Sequence, residues 1–400
     1  MSSDFLSVRS YIFNRLNTFP WASQRQAETV KNYIDQLVAG RASGRQALLR
    51  SGMTSFTDRI IQYQLKQARY YVEQFFHQSN HQISKIDRRK VYHLAFDDTI
   101  EERVGKKVFA AAYQYNHSQS SVVWGQTLVD RVLISDHLMN VAFQTYLPKN
   151  YLERADQSLT EFQTKIQMVK AMFRADVVRL RAQGLAAEKI WATLDSWFAC
   201  RELTTEFRQT GVNFLQGLKK NAQSHWFGQK ARLDEIFQPP APWRWITDPQ
   251  TGKKVYYQEK ILNLTCHGRC KVLAIRRGKE RRIRYYATNR LKMSMQRLLP
   301  RLKAHWRVET LHRDLKQYFD LRGCYSGNQT LNEIHWLTCY STYLLFCQYQ
   351  TQKQHQGIKI TIPKLIHWYQ YAYDYERARK CFFSPKARVK LKKRIQGGKC

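Results

Sequence analysis

Carboxylates are scarce in this chain: 66 Lys and Arg stand against 31 Asp and Glu, a formal net charge of +35. Three of the acids are conspicuously placed. Asp98 follows the apolar run Tyr92–Phe96, Asp195 follows the run Ile190–Leu194, and Glu309 lies in a helical segment crowded with cations. Two acids at strand ends and one on a helix, far apart in sequence, can meet only in a folded site. Hard carboxylate oxygens from separate elements suit Mg²⁺, and two such ions about 4 Å apart can activate a water or a 3′-hydroxyl and stabilise charge at phosphorus. On the segment Arg301–Phe319, residues Leu302, His305, Glu309, His312, Arg313 and Lys316 recur at i, i+3 and i+4, so they project from one side of a helix. A single carboxylate flanked by cations suits a metal site that also grips a phosphate. Lys219 and Lys220, directly after the apolar run Val212–Leu218, are further candidates for binding phosphate.

The elements that must position these groups follow from the hydrophobic pattern. Residues 1–90 read as short helices, with Ile34, Leu37 and Val38 on one face. From Val91 the pattern changes to strands: Tyr92–Phe96, Val108–Tyr115 and Val122–Leu128, an antiparallel meander. Phe162, Ile166, Val169, Phe173, Val177 and Leu180 then mark one face of a long helix that stops at Gly184. Strands at Ile190–Leu194 and Val212–Leu218 follow, with Ser196 as candidate cap of the helix between them. The order β-β-β-α-β-α-β is that of a ribonuclease H-like core. Residues 222–290 interrupt it with Pro239, Pro240 and Pro242 beside Trp243 and Trp245. A hairpin then joins Lys271–Arg276 to Arg281–Tyr286 about Gly278.

Composition narrows the function classes. Hydrophobic residues make up 43% of the chain, enough for a packed core of two or three domains. No apolar run approaches the roughly 20 residues of a membrane span, and the N-terminus lacks signal-peptide order. The eight cysteines form no disulfide framework or zinc-ribbon spacing, which points to reduced thiols in a cytoplasmic protein. Residues 251–320 hold 19 basic against 5 acidic side chains, and the stretch from Glu376 ends in a basic tail, so the expected partner is a nucleic acid.

The segments Phe96-Asp-Asp-Thr99, Leu194-Asp-Ser-Trp197 and Trp306-Arg-Val-Glu-Thr-Leu-His-Arg-Asp-Leu-Lys316 together resemble the DDE transposases of bacterial insertion sequences. The branch resembled has a β-rich insertion before the glutamate helix, and the resemblance covers roughly residues 90–350. It implies an α/β protein: a ribonuclease H-like mixed sheet with flanking helices, the β-rich insertion and an N-terminal all-α domain. The implied layout is a helical DNA-binding domain over 1–90, the core over 91–221, the insertion over 222–290, the core's glutamate helix and following helix over 291–350, and a basic region over 351–400. Asp98, directly before Thr99, matches the first catalytic acid, and Asp97 and Thr99 would support it. Asp98, Asp195 and Glu309 would hold two Mg²⁺, with Mn²⁺ as a substitute. In the family's last motif Glu309 and Lys316 fit the spacing, whereas Leu302 and His305 stand where relatives have Tyr and Arg. That departure puts the relatives' hairpin route in question and leaves His305 as a candidate DNA contact. Arg313, Lys316, Lys219, Lys220, Arg281, Arg282 and Arg284 are the other expected DNA contacts.

The activity implied is cut-and-paste excision and strand transfer on double-stranded DNA, acting on terminal inverted repeats and a target, with a homodimer in the synaptic complex. A bacterial, nucleoid-associated location would follow, with no membrane partner. The rivals are a ribonuclease H-like nuclease that cleaves without joining and a catalytically silent, domesticated DNA-binding protein. No aromatic RNA-binding signature speaks for RNA.

Overall fold

The computed structural model describes residues 4–39, 58–81, 86–116, 119–136, 138–156, 162–238, 242–249, 251–277 and 282–383. Two compact units emerge. One comprises residues 82–104 and 110–312; the other joins 1–81, 105–109 and 313–400. The expected turn at Gly278, the contact at Arg281 and the basic tail beyond Lys386 lie outside the described residues.

The helical unit opens with α1 (Asp4–Asn17), α2 (Gln24–Ala39) and α3 (Asp58–His81). Ile34, Leu37 and Val38 are fully buried, as their spacing requires. These helices do not close a core by themselves. The C-terminal helices of the chain, introduced below, pack against them in the same unit.

The other unit is built on one sheet. Its first strands are β1 (Tyr92–Glu102), β2 (Ala112–Asn116), β3 (Ser121–Ile134) and β4 (Leu138–Tyr146). After the short α4 (Lys149–Arg154) comes α5 (Lys165–Ala182), then β5 (Ile190–Leu194), α6 (Arg201–Gln209) and β6 (Asn213–Leu218). A capping box starts α5: the Thr164 side chain accepts from the Gln167 N–H, and the Gln167 side chain accepts from the Thr164 N–H. Gly184 ends its last turn at φ +81°. The strand β4 is absent from the sequence-based expectation, and β1 runs on past its expected end.

The insertion does not form a separate β layer. Its strands are β7 (Gln223–Trp226), β8 (Gln229–Arg232), β9 (Arg244–Thr247), β10 (Lys254–Leu264), β11 (Gly268–Arg277) and β12 (Arg284–Thr288), with the one-turn α7 (Leu233–Ile236) between β8 and β9. Antiparallel pairing of β12 with β6 joins them to the core in one 12-stranded sheet, whose main path is β2-β3-β1-β5-β6-β12-β11-β10-β7-β8, with β4 paired to β3 and β9 to β10 beside it. β11 and β12 pair antiparallel as the expected hairpin requires; β11 is longer than its apolar pattern indicates, and β12 is Arg284–Thr288 rather than Arg281–Tyr286.

Each face of the central strands is covered by its own helices. Tyr92, Leu94 and Phe96 of β1 and Ile190, Ala192 and Leu194 of β5 pack with Met168, Val169, Phe173 and Val177 of α5. On the opposite face, Trp191 and Leu215 pack with Leu298, Leu299 and Leu302. Those three belong to α8 (Met295–Tyr318), which begins before Pro300 rather than after it and runs out of this unit at Arg313. The helices α9 (Gln329–His355) and α10 (Ile362–Phe383) complete the helical unit. No helix among the described residues is long and apolar enough to cross a membrane.

Two buried histidines of the sheet unit make its stability depend on acid. His267, 4% exposed and 3.1 Å from the Gln216 side-chain oxygen, is held down to about 4 by burial and by the charge of Arg208. His93 is held down to about 3 by burial and by Arg301. A histidine whose folded pKa lies below its unfolded value near 6.5 stabilises the native state above that value. The contribution is lost as pH falls through 6.5 toward the folded pKa. Replacing His267 with Gln is expected to shallow the loss of stability between pH 6.5 and about 4 by roughly 2–3 kcal/mol. Denaturant titrations at a series of pH values read it directly, and an unchanged slope would refute the assignment.

Candidate active-site cleft

Strand register decides which acids share a face. β1 and β5 run parallel, and their pairing ends at Phe96 opposite Leu194. Paired residues of parallel strands point the same way, so the next residues of each, Asp97 and Asp195, stand side by side on the α8 face where the ladder stops. β1 itself continues to Glu102, because β3 remains paired with it antiparallel throughout. Asp98 therefore points to the opposite face by simple alternation. There it ion-pairs with Lys165 at the start of α5, 2.6 Å away, and the Lys165 ammonium also lies 5.2 Å from the Tyr146 ring centre. The expectation that Asp98 converges with Asp195 and Glu309 is not met: the neighbour of Asp195 is Asp97. Thr99 is buried, with its hydroxyl 3.4 Å from a Glu101 carboxylate oxygen.

The electrostatics agree with that placement. The Asp97 carboxyl is raised to about 7, chiefly by burial, with Asp98 and Asp195 adding to the shift and His312 opposing it. Glu309 is raised by burial and by Asp195, against the pull of His312, Arg284 and Arg277. In both groups burial and the charge of Asp195 outweigh the nearby cations. Asp195 is anchored by its own backbone turn, its side chain accepting from the Ser196 N–H. Asp195 caps only the single turn Ser196–Phe198; α6, the helix for which the sequence suggested Ser196, starts after Cys200 with no side-chain cap. Gly217 of β6 lies so close that an added Cβ would stand 2.9 Å from Ser196 N.

Asp195 and Glu309 open on a cleft of about 930 Å³. Lys219, Lys220, Arg282, Arg284 and His305, all named from the sequence as candidate DNA contacts, line it too, and Trp306 and Tyr286 join them. Lys219 also lies 5.3 Å from the Trp197 ring centre. The Nδ1 of His305 is buried without a hydrogen-bond partner. Asp97 and Asp98 do not line this cleft. Arg313 and Lys316 continue along α8, and Arg313 pairs with Asp314 at 3.1 Å instead of with Glu309.

The group that sequence reasoning left without a role is His312. Its Nε2 lies 2.7 Å from Asp130, a fully buried carboxylate on β3, and its Nδ1 lies 3.7 Å from Asp97. Asp97 and Asp130 are direct cross-strand partners, a like-charge pair that costs stability unless something stands between them. His312 is that group. The only signal in the sequence was its place one turn after Glu309 on the same helix side.

Among the described residues, no three His, Cys, Asp or Glu side chains stand as a closed metal site. The donor chemistry of Asp97, Asp195 and Glu309 nevertheless suits a hard divalent cation: all three offer carboxylate oxygens, and two of them are raised by burial and by the charge of Asp195.

Residues 171–345 match the family described as the transposase DDE domain. The match includes Asp195 and Glu309 and begins after Asp97 and Asp98. Among curated proteins, none matches the chain by sequence. Transposases with this domain act on DNA and generally use divalent metals. The sheet, the helix that covers it and the basic cleft thus accompany a stretch, residues 171–345, that is similar to the DDE domain of transposases.

Proposed function

We propose that the chain excises a mobile DNA element at its ends and joins it to target DNA, with Asp97, Asp195 and Glu309 as the catalytic acids. The single observation that carries this reading is the side-by-side position of Asp97 and Asp195 where the β1–β5 ladder ends, on the face covered by the helix of Glu309. When bound there, two Mg²⁺ ions would activate the attacking water or 3′-hydroxyl and stabilise charge at phosphorus. Mn²⁺ is an equivalent hard ion. The chain's own groups do the rest. Lys219, Lys220, Arg282 and Arg284 draw the phosphate backbone into the cleft, and His305 and Trp306 border the reacting position. His312, braced by Asp130, holds the Asp97 carboxylate in place.

Asp98 takes a different role from the one its neighbour Thr99 suggests. Paired with Lys165, it ties β1 to α5 and supports the strand from behind. Terminal inverted repeats as substrate, a homodimer pairing two ends and a nucleoid location belong to the same reading.

The test is a plasmid bearing the element's terminal repeats, incubated with protein and Mg²⁺ beside an Asp195→Ala variant. Excision and joining by the native protein alone are expected. Cleavage without joining would replace the reading with a nuclease. Tight binding with equal inactivity of both proteins would replace it with a silent DNA-binding descendant.

A further inference from the structure

A second cleft, of about 990 Å³, lies along α8, and Trp306 lines both clefts. Its walls come from the start of β10, the end of β11 and the other flank of α8. Of its cations, Lys303 is tied to Asp248. Lys253, Lys254 and Arg307 form no salt bridge among the described residues, and Arg277 acts on Glu309 only through its charge. Asp136, the other acid of the lining, pairs with Lys90. The surplus of positive charge is therefore real and concentrated. Lys253, Lys254 and Arg307 are exposed. Arg277 lies 5.3 Å from the centre of the Trp306 ring, which is itself 41% exposed.

His93 adds an independent mark of an unfilled site. It is 8% exposed, it lines this cleft, and its Nδ1 is buried with no hydrogen-bond partner. Buried polar atoms rarely stay unpaired, because forgoing the hydrogen bond costs about 1–3 kcal/mol. Burial keeps the ring neutral near pH 7, so it offers a hydrogen-bonding nitrogen without further charge.

We propose that this second cleft is a DNA-backbone groove: DNA leaving the reacting phosphodiester passes over Trp306, and its phosphates seat on Lys253, Lys254, Arg277 and Arg307. The inference rests on the transposase reading of the first cleft and extends it by naming where the flanking DNA runs. An exposed aromatic ring at the divide between two basic grooves suits stacking by a base displaced near the reaction point.

The experiment compares native protein with a Lys253→Ala/Lys254→Ala/Arg307→Ala variant. Binding to a duplex long enough to cross both clefts is measured over a range of salt. Every cation that no longer neutralises a phosphate lowers the slope of log K against log salt by about 0.9, so the triple variant's slope should fall by roughly 2–3. An Arg181→Ala/Lys230→Ala control removes two exposed cations that line neither cleft, and its slope should stay near native. A triple-variant slope equal to native, or an equal fall in the control, would overturn the groove. If the native protein neither cuts nor joins DNA while the triple variant still loses slope, the transposase reading fails and the groove stands.

Discussion

Asp97→Asn is expected to lower metal-dependent DNA cleavage by about 10³-fold or more, whereas Asp98→Asn should stay within about tenfold of native. The two residues are adjacent and chemically identical, so only their faces distinguish them. Asp97 stands beside Asp195 and is one of the groups that sense its charge. In the proposed reaction its carboxylate is one of three hard-oxygen donors, and a bound metal would supply several kcal/mol of transition-state stabilisation. About 4 kcal/mol corresponds to the thousandfold figure. Asp98 lies on the α5 side, and its loss frees Lys165 from an ion pair that is largely buried at both ends. That change loosens β1 against α5 but leaves the α8 face intact. Single-turnover cleavage of end-bearing DNA in Mg²⁺, with circular dichroism to verify folding, separates the two. Inactive Asp98→Asn beside active Asp97→Asn would reverse the assignment.

This pair also illustrates which parts of the site were legible from the residues alone. The apolar runs before Asp98 and Asp195 locate both strands, and the helical spacing locates Glu309 and its cationic neighbours. The choice between Asp97 and Asp98 depends on where pairing stops. A run of Asp-Asp-Thr reads as a strand end, because polar residues normally mark one. Here β5 ends after Leu194 while β3 continues beside β1 to Glu102, so the strand survives and alternation sorts the acids. Pairing partners of that kind come from distant segments and leave no local trace.

The same cause explains the other differences. β10 alternates imperfectly, with polar Gln258, Glu259 and Lys260 inside it, and it becomes a strand because β11 is hydrogen-bonded along its length. β12 attaches the insertion to the core through β6, a partner that no local pattern reveals. The first helices are amphipathic in sequence, yet their apolar faces are completed by helices that begin about three hundred residues later. Tyr33 meets His335 at 2.8 Å and Gln36 meets Tyr373 at 2.9 Å, pairs that no period in either segment announces.

The helical unit depends on one such distant network, and its loss has the largest stability effect expected in this chain. Arg9 binds Asp35 through two parallel bonds, Nε to Oδ1 at 3.0 Å and Nη2 to Oδ2 at 2.7 Å. The Tyr369 hydroxyl donates to Asp35 at 2.8 Å, and Arg9 reaches Glu376 at 2.5 Å. Arg9, Asp35 and Tyr369 are all buried, so α1, α2 and α10 are joined through a single guanidinium–carboxylate centre. Asp35→Ala leaves that guanidinium largely dehydrated and without its forked partner, which costs about 3–5 kcal/mol. At about 2–4 °C of Tm per kcal/mol for a unit of this size, the helical unit should melt on the order of 10 °C lower. Asp35→Asn retains an acceptor for Tyr369 and should lose less. An Arg9→Met/Asp35→Leu double variant removes both charges and should be more stable than Asp35→Ala, because the penalty lies in the stranded charge more than in the missing attraction. Calorimetry of the three variants decides the point: a double variant no better than Asp35→Ala would mean that packing around Phe13 and Tyr373, which flank the Arg9 guanidinium at 4.2 Å and 5.9 Å, sets the stability instead.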